Sequence, residues 1–228
     1  MYSLPKEIHR EIINKLDTET QQIARLIDRY FNQFIQPQDV DLLTFGAKHG
    51  VLEFCEIGLS RGNLKLRACK TASLNNHLDI LKWARSQNCP WNIWTCHYAA
   101  QNGHLEVLKW ARSQGCPWNK YTCAIATSTG RIEVLQWVYE NGCPWDESTC
   151  SFAAKSGHLN ILKWARSQNC PWDEWTCTYA AWNGHLEVLK WARSQKCPWN
   201  EGTCAQAARD NHLEVLKWAR SQNCPWNE

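Results

Sequence analysis

The chain has 228 residues, 25 Lys and Arg against 22 Asp and Glu, and a formal net charge of +3 with 44% hydrophobic residues. That balance excludes a polycation built on charge alone for nucleic acid and a charge-dominated disordered chain. No apolar run reaches the roughly 18 residues of a spanning helix, and the N-terminal MYSLPKEIHREI lacks the apolar stretch of a secretory signal. The thirteen cysteines are therefore expected as free thiols in a reducing compartment, cytoplasmic or nuclear. The compositional outlier is tryptophan, with 15 Trp against one Met.

Residues 1–36 have their own apolar pattern: Leu4, Ile8, Ile12, Ile13 and Leu16, then Ile23, Leu26, Ile27, Phe31 and Phe34. The spacing predicts three short helices, with Pro5 in a first turn and Asp17-Thr18 between the two main ones. The stretch LPKEIHREIINKLDTETQQIARLIDRYFNQF resembles an F-box: Leu4, Pro5, Glu7, Ile8, Ile12 and Leu16 match its first half, and Ile27 and Phe31 its apolar and aromatic positions. Gln21 departs from it, where Leu is usual. The resemblance implies that Leu4, Pro5, Ile8, Ile12 and Leu16 bind the Skp-type adaptor of a cullin–RING ubiquitin ligase. The same residues also read as a helical cap over the apolar side of a first repeat, which stacked repeats require.

The rest of the chain repeats. Cys-Pro-Trp begins at Cys89, Cys116, Cys143, Cys170, Cys197 and Cys224, in steps of 27 residues. A second Cys follows at Cys96, Cys123, Cys150, Cys177 and Cys204, and a helical Trp recurs at Trp83, Trp110, Trp137, Trp164, Trp191 and Trp218. The two Trp ladders are expected to form a continuous core. A degenerate copy, GVLEFCEIGLSRG from Gly50 to Gly62, aligns with GHLEVLKWARSQG from Gly103 to Gly115, so the array starts at about Asp41. The division is residues 1–36, an F-box-like helical segment; 37–76, a linker and degenerate first repeat; and 77–228, the 27-residue repeats.

Each repeat reads as two short helices. In one copy Asp173 is an N-cap, Glu174 favours the first turn, and Cys177, Ala180 and Ala181 form one stripe. Asn183-Gly184 closes that helix through a left-handed residue, and His185 opens the next. Leu186, Val188, Leu189, Trp191 and Ala192 have the spacing of a buried face, and Pro198 forbids continuation. No stretch alternates like a half-buried strand. The fold class is all-α, a solenoid of helical hairpins without β-hairpins behind a three-helix N-terminal segment.

GHLEVLKWARSQG resembles the second helix of an ankyrin repeat, and Thr-Cys-x-x-Ala-Ala from Thr176 to Ala181 resembles the first. Ankyrin units are about 33 residues long, so these lack about six, the β-hairpin finger, and turn instead through Cys-Pro-Trp. This 27-residue variant resembles the arrays common in large DNA viruses of amoebae and in some protists; a viral origin would place the chain in a host cell. The resemblance implies protein–protein binding. With the F-box resemblance it implies the substrate-recruiting subunit of a ubiquitin ligase; the alternative is a plain binding scaffold.

Other chemistry is weaker. One repeat offers two Cys and one His, short of the four ligands of a zinc site, and the Cys positions fall where a core needs small apolar groups. No metal or cofactor is expected. His77, His104, His158, His185 and His212 recur once per repeat, as a hydrogen-bonding residue at the start of each second helix. Polar groups copied in every repeat do not make a catalytic constellation, and no phosphate loop, nucleophile elbow or HExxH is present, so no enzymatic activity is expected. The basic ladder Lys82/Arg85, Lys109/Arg112, Lys163/Arg166, Lys190/Arg193 and Lys217/Arg220 is offset by Asp79, Glu106, Glu187 and Glu214, and broken by Gln136 and Tyr139. It reads as a solvated face, with neither nucleic acid nor membrane as partner.

Positions that vary between repeats are free of scaffold duty. On the first helix these are Trp94, Tyr121, Ser148, Trp175 and Gly202; then His97, Ala124, Ser151, Thr178 and Ala205; Tyr98, Ile125, Phe152, Tyr179 and Gln206; and Gln101, Ser128, Lys155, Trp182 and Arg209. Spacings of 3, 4 and 7 put them on one helical face. Aromatic residues beside varied polar ones have hot-spot character, so Trp94, His97, Tyr98, Gln101, Tyr121, Trp175, Thr178, Trp182 and Arg209 are the candidate contacts for a target protein.

Overall fold

A computed structural model describes residues 41–60, 62 and 65–226. The F-box-like positions Leu4, Pro5, Ile8, Ile12 and Leu16 lie outside the described residues. The described chain is all helix and turn, with fourteen α-helices and no strand.

The chain divides into two compact units, the first ending at Pro90 and the second starting at Trp91. The first holds two helical hairpins, α1 (Leu42–His49) with α2 (Leu52–Ser60) and α3 (Ala68–Leu74) with α4 (Leu78–Ser86). The α3–α4 hairpin begins before residue 77, so the helical unit is offset from the sequence repeat counted there. The second unit holds five hairpins: α5 (Ile93–Asn102) with α6 (Leu105–Ser113), α7 (Lys120–Ser128) with α8 (Ile132–Glu140), α9 (Glu147–Lys155) with α10 (Leu159–Ser167), α11 (Glu174–Trp182) with α12 (Leu186–Ser194), and α13 (Glu201–Arg209) with α14 (Leu213–Ser221).

Local chemistry sets the helix ends. Asn92, Asn119, Asp146, Asp173 and Asn200 have extended backbone, and each side-chain oxygen accepts from the N–H two residues on, at 3.0–3.1 Å. Each such N-cap contributes about 1 kcal/mol. At the other end Gly184 turns left-handed at φ 72°, and the His185 N–H donates back to the Ala180 carbonyl at 2.8 Å.

The glycine meets a second demand. A Cβ on Gly184 would lie 2.7 Å from the His212 ring of the next repeat, and one on Gly157 2.8 Å from that of His185. These histidines are the N-cap residues of the second helices, but their side chains make no capping hydrogen bond. The rings reach backwards: Nε2–H of His77, His158 and His185 donates to the carbonyls of Lys48, Ser128 and Lys155 at 3.1, 3.3 and 3.0 Å. The expected local role thus gives way to a link between repeats. Arg131, which replaces one His, packs its side chain on Gly103 in the same way.

The core corrects the Trp expectation. The buried side chains include Leu108, Leu135, Leu162, Leu189, Val107, Ile161, the Cys residues and most of the Ala residues, whereas the ladder Trp are only partly buried or, at Trp226, exposed. First helices pack directly on first helices, α5 on α7, α7 on α9, α9 on α11 and α11 on α13, whereas second helices pack chiefly on their own partner. Ala, Cys and Thr let the first helices approach closely, and that seam has no room for an indole. The Trp instead lie across the outer edge, where Trp118, Trp145, Trp172 and Trp199 meet Trp137, Trp164, Trp191 and Trp218 edge-on at ring separations of 5.8–6.1 Å.

Candidate functional site

The first-helix face of the second unit carries the candidate contacts. Close packing of the seam leaves the varied positions on one side of it. Trp94, Tyr121, Trp175 and Trp182 are 46%, 53%, 47% and 37% exposed, although large aromatic side chains are the groups most strongly driven out of water. Arg209 is exposed, and His97, Tyr98 and Gln101 are half-buried. Thr178 is not on this surface. It is 3% exposed, and its hydroxyl lies 3.4 Å from that of Thr203. The reason is the stack itself: Ala124, Ser151 and Thr178 occupy the flank that the next first helix covers, a burial that spacing along one helix does not reveal.

The exposed aromatics form two groups. Trp94 packs edge-on against His97 at 5.0 Å and lies 6.0 Å from Tyr98. Beside them a cleft of about 220 Å³ opens over α5, α7 and α9, with Trp94, His97, Tyr121, Ile125 and Phe152 as walls and Ala124 below. Burial lowers the pKa of His97, so the cleft wall favours the neutral imidazole. The second group runs along α11, where the rings of Trp175, Tyr179 and Trp182 follow one another, tilted, at 5.4 and 5.9 Å. The Lys155 ammonium lies 5.6 Å from the centre of the Tyr179 ring. Ile125, Phe152 and Tyr179 thus join the face. The helical spacing already places them among the varied positions of this face, although they are not among the candidate contacts named there.

Charge on this face is ordered. Glu147, Glu174 and Glu201 follow the N-caps of three successive first helices. Lys120 is held by Asp146 at 2.6 Å. Burial pushes the Asp146 carboxyl up, but its bonds to Lys120 and Ser148 outweigh this and hold it below the usual carboxylate value. The Asp173 carboxyl lies above that value, through burial first and then the negative charges of Glu174 and Glu147.

The opposite, second-helix surface is committed to the scaffold. Guanidinium groups of Arg112, Arg166 and Arg193 lie 4.0–4.1 Å over Trp118, Trp172 and Trp199 and donate to the Cys116, Cys170 and Cys197 carbonyls. Where Arg is replaced, Tyr139 stacks on Trp145 at 4.2 Å instead. Lys109, Lys190 and Lys217 each bond a Glu of the same helix at 2.9 Å. The basic ladder is therefore part helix-end chemistry and part local ion pair, and only its Lys members are a solvated face.

All thirteen cysteines are free and buried. Cys96, Cys123, Cys150 and Cys177 point at the carbonyls of Cys116, Cys143, Cys170 and Cys197, and Cys143, Cys170 and Cys197 point at those of Asn119, Asp146 and Asp173. The thiols thus act as small apolar groups that weakly satisfy the Cys-Pro-Trp turn. Burial pushes the Cys55 thiol up to about 12. Among the described residues no three His, Cys, Asp or Glu side chains converge as metal ligands, and no helix is long and apolar enough to cross a membrane.

Residues 150–193 match a family model described as ankyrin repeats in many copies. Among solved structures, the crystal structure of the human ASB11 ankyrin repeat domain is similar to this chain at 16% identity and a TM-score of 0.55, covering 67% of this chain and 82% of that one. No curated protein matches. The fold is an all-α solenoid of ankyrin type, and both comparisons support ankyrin repeats within it.

Proposed function

We propose that the repeat array is a protein-binding scaffold whose target sits on the first-helix face of the second unit. The observation that carries this reading is the placement of Trp94, Tyr121, Trp175 and Trp182, which are substantially exposed at positions that other repeats fill with Ser or Gly, or, for Trp182, with Gln, Ser, Lys or Arg. Exposed Trp and Tyr beside varied polar groups supply hot-spot energy to an interface. The second-helix surface has its Trp and Arg engaged with one another, and so offers less. The same reading makes the array a recognition module with no chemistry of its own.

We further propose that residues 1–36 dock the chain on a Skp-type adaptor, so that the bound target is presented to a cullin–RING ubiquitin ligase. Its support is the match of Leu4, Pro5, Ile8, Ile12 and Leu16 to the F-box pattern. The experiment is co-purification of the full chain with the adaptor, beside a Leu4→Ala/Pro5→Ala variant. Adaptor binding lost in the variant, with target capture retained, supports both roles. Target capture with no adaptor in either sample leaves a plain scaffold.

A further inference from the structure

The cysteines of the second unit are paired in space, and the pairs are not those that lie nearest along the chain. Cys116 and Cys123 are seven residues apart in sequence, but Cys96 on α5 meets Cys116, twenty residues on, in the turn after α6. The Cys96 thiol donates to the Cys116 sulfur, and its own sulfur lies 3.9 Å from the Cys116 carbonyl. Cys123 with Cys143, Cys150 with Cys170 and Cys177 with Cys197 repeat the arrangement, with a thiol–thiol hydrogen bond in each and 3.9–4.0 Å from sulfur to carbonyl. Each pair joins the first helix of a hairpin to the turn that leaves its second helix.

The two thiols of the first pair differ in their surroundings. Cys116 is supplied with donors. The Cys96 thiol bonds it, the Thr95 hydroxyl is turned toward it, and the Arg112 guanidinium, which donates to the Cys116 carbonyl, adds positive charge. Thr95 is 1% exposed and its hydroxyl makes no conventional hydrogen bond; the hydroxyls of Thr122, Thr149 and Thr176, one per following repeat, are buried in the same state. An unsatisfied buried hydroxyl is costly, and it gains a strong acceptor when the neighbouring sulfur is an anion. The bond from Cys96, opposed by burial, holds the Cys116 thiol below its ordinary value, whereas that bond and then burial push Cys96 up. Cys116 therefore ionises first while Cys96 keeps its proton beside it, the division between an attacking and a resolving thiol.

We propose that Cys96 and Cys116 are a redox modification site, at which a peroxide oxidises the pair to a disulfide inside one helical hairpin, and that the same geometry makes Cys150 with Cys170 and Cys177 with Cys197 equivalent sites. The proposal is independent of the target face. The Cys116 thiolate attacks one peroxide oxygen, the O–O bond breaks, and the departing hydroxide takes up the proton that Cys116 had released. Cys116 is then a sulfenic acid. The Cys96 sulfur attacks the Cys116 sulfur, the S–O bond breaks, and the hydroxyl leaves with the Cys96 proton as water. Two thiols and one hydrogen peroxide give one disulfide and two waters. Both sulfurs are fully buried, so the oxidant has to be small, and hydrogen peroxide is little larger than water. The bridge ties α5 to the turn after α6, so the hairpin cannot open while it lasts.

The test treats the reduced, folded full chain with graded hydrogen peroxide, blocks the remaining thiols by alkylation in denaturant, and maps the bridges by mass spectrometry of unreduced peptides. The expected bridges are Cys96–Cys116, Cys150–Cys170 and Cys177–Cys197, all reversed by a dithiol reductant, with an unchanged circular dichroism spectrum and a raised melting temperature. Cys96→Ala should leave Cys116 as a sulfenic acid that a dimedone probe captures, whereas Cys116→Ala should leave Cys96 unlabelled. Thr95→Val, which removes one hydrogen bond to the thiolate, should slow formation of the first bridge about threefold. The bridge map of the unmodified chain decides the matter whether or not a variant folds. No bridge under peroxide that fully oxidises free glutathione overturns the proposal. So do bridges between cysteines seven residues apart, or a bridge at Cys143 alone, the more exposed sulfur at 4%, where Tyr139 stands in place of the arginine.

Discussion

Replacing Leu162 and Trp164, neighbours on α10, separates a core of small aliphatic groups from a core of indoles. Leu162 is fully buried, so Leu162→Ala removes its transfer free energy and leaves a cavity in the hairpin, about 3–5 kcal/mol in all. Trp164 is larger but only partly buried. A fully covered indole hides about 150–250 Å²; covering about half of that at about 25 cal/mol per Å² gives about 2–3 kcal/mol. Its edge contacts with Trp145 at 6.0 Å and Tyr139 at 5.7 Å are counted within that range, and truncation opens to solvent, so no cavity term is added. The leucine change should therefore cost more than the tryptophan change. Urea unfolding of both variants, compared at equal m-value, measures the difference. A Trp164→Ala loss clearly exceeding that of Leu162→Ala would refute the placement of the core between the helices and the Trp outside it.

Three further changes follow from the local chemistry. Gly157→Ala combines a left-handed backbone at φ 74° with a Cβ 2.8 Å from the His185 ring, and should cost about 2–3 kcal/mol by the same unfolding assay. Lys196→Gly relieves a left-handed non-glycine residue at φ 62° and should stabilise by about 1 kcal/mol. Asp173 and Asp146 should respond oppositely to replacement by Asn, which caps about as well. The raised Asp173 carboxyl disfavours the folded state once ionised, so Asp173→Asn gains stability at neutral pH and loses that gain as the pH falls below the ordinary carboxylate range. The lowered Asp146 carboxyl stabilises above its unfolded pKa, so Asp146→Asn loses stability at neutral pH and converges with the parent in acid. Both carboxylates are only partly buried and remain in reach of solvent, so each effect is limited to about 0.5 kcal/mol and is read as a difference in melting temperature across pH.

The helical hairpins were legible because their signals are local. Asp173 before an apolar stripe, Gly184 after it and Pro198 beyond the next helix each act within a few residues. The exposed face was legible for a different reason, since copies of one scaffold can vary only where the scaffold does not need them. What escaped depends on the neighbouring repeat. Thr178 shares the helical face of Trp175 and Trp182, yet α13 covers it. His185 lies at a helix start, but its partner is a carbonyl thirty residues earlier. The Trp ladders recur like core residues, but only the narrow Ala, Cys and Thr seam of the stacked first helices excludes them from it.

The central claim is that Trp175 and Trp182 are in water for the sake of a partner. The direct measurement is target capture by the full chain and by its Trp175→Ala/Trp182→Ala variant, each paired with a thermal melt. Capture should fall by about 2 kcal/mol or more, at least about thirtyfold in affinity, while the melting temperature moves by only a few degrees, as expected of side chains already 47% and 37% exposed. Undiminished capture together with a large loss of thermal stability would make these indoles part of the scaffold and contradict the account.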